Sequence, residues 1–121
     1  MKVKIDTREK FHVITILESS LPANMTEEME NLRSGLPDNN VKNVIINMKD
    51  IENLDKAAAE QLLAAQQRFY EQNASFVICA LQAGPKQFLD KIGLLELLNH
   101  TPTESEAMDI VQMEEIEREL E

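Results

Sequence analysis

Asp55, Lys56 and Glu60 stand close together in the run IENLDKAAAEQLLAAQQ, where an apolar stretch gives way to one rich in Ala and Leu. A lysine amine becomes a nucleophile or a Schiff-base former only when an apolar cleft depresses its pKa, and carboxylates one residue before and four after act in the opposite sense. Catalysis by Lys56 is therefore not expected. Its position is still unusual, because the unpaired N–H groups of a helix start favour anions and short polar caps over cations. Asp55 obeys that rule and Lys56 breaks it. The other reactive residue types are more ordinary. Cys79, the only cysteine, lies inside FVICAL with no adjacent His, which fits a core thiol and leaves no internal disulfide or zinc cluster. His12 sits within a strand pattern and His100 beside a loop, without the spacing of a metal pair. AGPKQF lacks the spacing of a phosphate-cradling loop, and the acidic runs EEMEN and EEIERELE fit solvated helix faces better than a cation site. No catalytic residue, metal ligand or cofactor is expected.

The elements that place these residues follow from their periodicity. KVKID and FHVITILE, separated by the polar TREK, predict two strands in a hairpin. In PANMTEEMENLRSG, Asn24 and Glu27 have the spacing of a capping box and Gly35 suits a C-terminal stop, so a short helix follows. After the turn residues LPDNN, VKNVIINM is apolar at consecutive positions, as in a strand covered on both faces. Leu62, Leu63, Ala65, Phe69 and Tyr70 then recur at helical spacing until EQNAS, and FVICAL is a second fully apolar strand. Strand, helix and strand form a βαβ unit with parallel strands and a right-handed crossover. QAGPKQFLDKIGLLELL predicts a third helix, with Phe88, Leu89, Ile92 and Leu95 on one face. A fourth begins at the Thr103/Glu106 capping box and runs through Ala107, Ile110 and Val111, with Met113 or Glu114 and then Ile116 or Glu117 continuing the inner face. Its acidic end, residues 114–121, meets an unfavourable macrodipole and is expected to fray.

Length and charge bound the rest. A chain of 121 residues suits one domain, 1–121, and the 43% hydrophobic and 28% charged content is that of a folded globular protein. A net charge of −10, with no Lys/Arg cluster, disfavours nucleic acid and anionic lipid surfaces as partners. No apolar run approaches the roughly 20 residues of a membrane span, and a cytoplasmic location is expected.

The order of elements is an α/β layout, a mixed central sheet with a parallel βαβ core and about four helices packed on it. At this level the sequence resembles a STAS domain, the fold of bacterial anti-sigma factor antagonists and of stressosome scaffold proteins. The resemblance rests on FHVITILESSLPANMTEEMENL, similar to the family's second strand, loop and first helix; on VIINMKDIENLDKAAAEQLLAA, similar to its central strand, loop and second helix; and on IGLLELLNHTPTESEAM, similar to its closing segment. It implies a bacterial signalling module that regulates transcription by binding proteins and has no chemistry of its own. Its implied partner is an anti-sigma factor/serine kinase or another STAS protein. The implied contact surface is the loop and start of the second helix, Asn53, Leu54, Asp55, Lys56, Ala57, Ala58 and Ala59, with the ESSLPANM loop beside it.

In many members Asp in this loop is followed by a Ser or Thr that a partner kinase phosphorylates. Here the aligned run is Asp55, Lys56, Ala57, Ala58, so Lys56 occupies the acceptor position. An ammonium forms no stable phosphoester, and no Ser, Thr or Tyr occurs from Ile51 to Arg68. A phosphate would add about −1.5 to −2 charges, so a lysine is not even a mimic of the modified state. Regulation by phosphorylation at this position is not expected. Lys56 is then either an exposed remnant or a contact to an acidic group on a partner. Two other functions stay open: a scaffold subunit of a larger STAS assembly, and a small-ligand or nucleotide-binding domain. Oligomeric state is undetermined at this level.

Overall fold

The computed structural model describes residues 2–21, 24–34 and 41–120. Five strands and four helices alternate along the chain: β1 (Val3–Thr7), β2 (Phe11–Ile16), α1 (Met25–Ser34), β3 (Asn43–Asn47), α2 (Lys56–Glu71), β4 (Phe76–Cys79), α3 (Ala83–Lys91), β5 (His100–Thr101) and α4 (Glu104–Glu119). The strands lie side by side in chain order, with β1 antiparallel to β2 and every later pair parallel. The hairpin and the parallel βαβ unit are thus present, with Ile46 opposite Ile78.

The consecutive apolar runs are explained by the two-residue period of a strand. Ile14, Ile16, Val44, Ile46, Met48, Phe76 and Ile78 point to the face covered by α1, α2 and α3, where Met25, Met29, Leu62 and Leu89 complete the main core. The alternate set Phe11, Val13, Ile45, Val77 and Cys79 points to the other face and packs on Ala107 and Val111 of α4. A three-layer arrangement results, in which β3 and β4 are buried at every position.

Three features depart from the sequence reading. The third helix is shorter than its pattern: α3 stops at Lys91, Gly93 takes φ +78°, and Leu95–Leu97 form a separate 3-10 turn. A positive φ is nearly free for glycine, which makes this a natural break. The fifth strand was not expected, because a two-residue His-Thr segment carries no alternating pattern. It forms because the amide N–H groups of Ile78 and Ala80 donate to the carbonyls of Asn99 and Thr101, at 2.9 and 3.2 Å. On α4, Glu114 is the member of the Met113/Glu114 alternative that turns in, whereas Ile116 and Glu117 both face outward and Glu115 and Arg118 turn in instead. Gly35 as the stop of α1 and the 36–40 turn lie outside the described residues.

Candidate functional site

The opening of α2 is built by Asp55, whose extended backbone lets its carboxylate accept the Ala58 amide at 2.8 Å. This N-cap satisfies one of the orphan donors of the helix start and absorbs its positive end. Lys56 follows as the first helical residue, with its side chain 76% exposed. Its ammonium lies 4.0 Å from the Glu60 carboxylate, itself well exposed, and such a pair is worth only a few tenths of a kcal/mol, about 0.3–0.5. Lys56 is therefore available to another molecule.

The seven residues expected at the contact surface divide by burial. Asn53, Asp55, Lys56 and Ala57 are exposed, whereas Leu54, Ala58 and Ala59 face the core and support the surface from behind. Ala58 and Ala59 are fully enclosed, so larger side chains there would overpack the α2 interface with the sheet.

The loop after β2 lies directly against this surface. Ser20 and Asn53 form an isolated parallel bridge, the Ser19 carbonyl accepts the amides of Glu52 and Asn53 at 2.7 and 3.2 Å, and the Leu21 amide donates to the Asn53 carbonyl at 3.3 Å. The Ser20 hydroxyl also donates to Asn53 Oδ1 at 3.4 Å. The neighbourhood of the two loops is thus a backbone-bonded platform. Pro22 and Ala23 of the same loop lie outside the described residues. On the opposite side, Gln82 reaches from the start of α3 and donates to the Lys49 carbonyl at 2.7 Å.

The remaining reactive residues are placed by the core. Cys79 is buried, and its thiol is pushed up to about 12, first by burial and then by the nearby Glu104 carboxylate, which suppresses the nucleophilic thiolate. His12 is buried in β2, with Nδ1 2.8 Å from the Thr7 hydroxyl. Among the described residues, no group of three or more His, Cys, Asp and Glu is placed to hold a metal ion, and no helix is long and apolar enough to cross a membrane.

A second polar cluster, absent from the sequence reading, lies at the other end of the sheet, where β3 and β4 begin. The Ser75 hydroxyl donates to Glu114 at 2.6 Å and accepts from Arg118 at 2.7 Å; the Tyr70 hydroxyl donates to the same Glu114 at 2.7 Å. Asn43 donates to Glu115 at 2.8 Å, and Glu115 is paired with Arg118 at 3.0 Å. Its members satisfy one another, which marks it as an anchor for the end of α4. Polar residues at strand starts, Asn43 and Ser75, were the only sequence signal for it.

A family model described as the STAS domain matches residues 2–107. No curated protein matches the sequence. Among solved structures, the chain is similar to a protein of Thermotoga maritima described as a candidate anti-sigma factor antagonist, with 12% identity, 91% and 94% of the two chains covered and a TM-score of 0.71. An anti-sigma-factor antagonist (STAS) domain protein from Planctomyces limnophilus gives 16% identity, 91% and 97% coverage and a TM-score of 0.68. The anti-sigma factor antagonist SpoIIAA, solved in its unphosphorylated form, gives 15% identity, 92% and 96% coverage and a TM-score of 0.67. At these identities the structures share a fold.

Proposed function

We propose that this chain, which belongs to the STAS domain family, works as a non-catalytic protein-binding module of the anti-sigma factor antagonist kind, without a phosphorylation switch at the start of α2. The observation that carries the reading is the exposed Lys56 beside the Asp55 cap, on a rigid platform made with the Ser19–Leu21 loop. A hydroxyl in this place would be open to a kinase; the ammonium instead offers a fixed positive charge to a partner's carboxylate. The contact surface is Asn53, Asp55, Lys56 and Ala57 with Ser19 and Ser20 beside them. The partner is an anti-sigma factor of the serine-kinase type or another STAS protein, and the setting is a bacterial cytoplasm.

The test is a pull-down from native lysate with the wild-type chain and with Lys56→Glu as bait. Recovery of an ATPase-type anti-sigma kinase by the wild type, lost with Lys56→Glu, supports the reading. Recovery of neither a kinase nor a STAS protein, or equal recovery by both baits, overturns it. A large homo-assembly in a size measurement would replace it with a scaffold role.

A further inference from the structure

We propose that the cleft between the C-terminal ends of β4 and β5 and the first turn of α3 is a binding site for a small tetrahedral oxyanion of the phosphate class, held by Lys86 and His100. The cleft has a volume of about 190 Å³ and is lined by Leu81, Lys86, His100, Thr101 and Pro102, with no carboxylate among them. In a chain with 22 acidic residues against 12 Lys and Arg and two His, a lysine and a histidine lining one cleft with no carboxylate among the described lining residues is an uneven distribution. Neither side chain has a hydrogen-bond or ion-pair partner among the described residues. The two are close enough for Lys86 to lower the pKa of His100, an effect secondary to that ring's partial burial. An anion between them would replace this repulsion with two attractions.

The cleft lies at the carboxyl ends of the neighbouring parallel strands β4 and β5. Ala80 turns the chain out of β4 through φ +61°, a conformation rare for a residue with a Cβ, directly before Leu81 in the cleft wall. Size decides the ligand class. Water occupies about 30 Å³ in the liquid, and pockets for drug-sized molecules run from roughly 300 Å³ upward, so this cleft exceeds one water and falls short of a nucleoside. The polar cleft at the opposite sheet end, lined by Tyr70, Glu114 and Arg118, differs in that those groups are spent on one another.

The site needs no protein partner, so its test is independent of the proposed docking function. The free chain is titrated with inorganic phosphate, with adenosine monophosphate and with chloride at matched ionic strength, following the His100 ring and Thr101 amide by NMR. Phosphate should give saturable shifts and raise the apparent pKa of His100, because the anion favours the imidazolium; among the described residues, Lys86 is the only other titratable side chain in the lining. Lys86→Met, an exposed change that leaves the core intact, should weaken phosphate binding at least about tenfold, and His100→Gln should also weaken it. The monophosphate should bind no more tightly than phosphate. Equal shifts with chloride, no saturation, unchanged affinity in Lys86→Met, or adenosine monophosphate binding more than about tenfold tighter than phosphate would each overturn the assignment.

Discussion

At the start of α2, two adjacent residues have separable jobs, and substitution can tell them apart. Asp55 caps the helix through the 2.8 Å bond from Ala58, so Asp55→Ala should lower stability by about 0.5–2 kcal/mol in chemical denaturation. Among the described residues, Lys56 is paired with the exposed Glu60. Lys56→Glu gains about 0.3–1 kcal/mol from the helix N-terminus but turns the i,i+4 attraction to Glu60 into a repulsion of similar total size, so stability should change by less than about 0.5 kcal/mol. If Lys56 meets a partner's carboxylate, the same change should weaken binding more than Lys56→Ala does, because repulsion replaces attraction. Affinity should therefore fall for Lys56→Glu while stability stays nearly unchanged. Equal affinity of wild type, Ala and Glu would make Lys56 a solvated residue. Mass spectrometry after incubation with a family kinase and ATP should find the loop from Ile51 to Ala59 unmodified in the wild type. Phosphate on Lys56→Ser would show that the kinase-docking surface had outlived its acceptor.

Among the elements, α4 depends most on distant contacts. It packs over β2, β3 and β4 on one face of the sheet with only Ala107 and Val111 fully buried, and its distal half is held by Ser75, Tyr70 and Asn43. Ser75→Ala removes the hydroxyl shared by Glu114 and Arg118 and should cost about 1–3 kcal/mol, with amide exchange accelerated selectively over residues 111–119. The cluster also sets an alkaline limit. Burial, with help from Glu114, pushes Tyr70 up to about 12, whereas an unfolded tyrosine ionises near 10. Between those values the unfolded chain binds fewer protons than the folded one, so stability is unaffected below about pH 10 and falls as pH rises toward 12. The difference in stability between wild type and Tyr70→Phe should show this slope above pH 10. Glu115 acts at the other extreme. The Asn43 hydrogen bond and Arg118, opposed by burial, hold its carboxyl below the usual range, so its contribution is present above the ordinary carboxylate pKa and is lost as pH falls through the lowered value.

For the whole molecule, the sheet carries two cores that share the same strands. Ile46, fully buried on the three-helix face, lies between β2 and β4, so Ile46→Asp should cost more than about 4 kcal/mol and leave little folded chain at 25 °C. A melting temperature close to wild type would contradict its place in the core. The α4 face is thinner, and losses there should open α4 before the sheet unfolds. Leu17, Leu97, Met113, Ile116 and Leu120 are the large apolar side chains left exposed among the described residues, two of them on α4 and a third, Leu120, at its C-cap.

Much of this architecture was legible in VKNVIINM and FVICAL, because strands buried on both faces must be apolar at successive positions. The intervening helix was legible because a buried stripe must recur every three to four residues. Asp55 and Thr103 were legible as caps for an equally local reason: each satisfies amides three residues away. β5 was not, since its two residues are held by backbone bonds to β4 that impose no side-chain pattern. The inner face of α4 was settled by Asn43 and Ser75, whose polar groups needed partners 72 and 39 positions away; periodicity alone admitted Met113 and Ile116 there. The sequence by itself determined the residue types at the start of α2, including the absence of a hydroxyl, because composition is local. Tertiary structure decided which of those residues reach solvent, and that Ser19 and Ser20 stand beside them, because burial and strand neighbours depend on segments far apart in the chain.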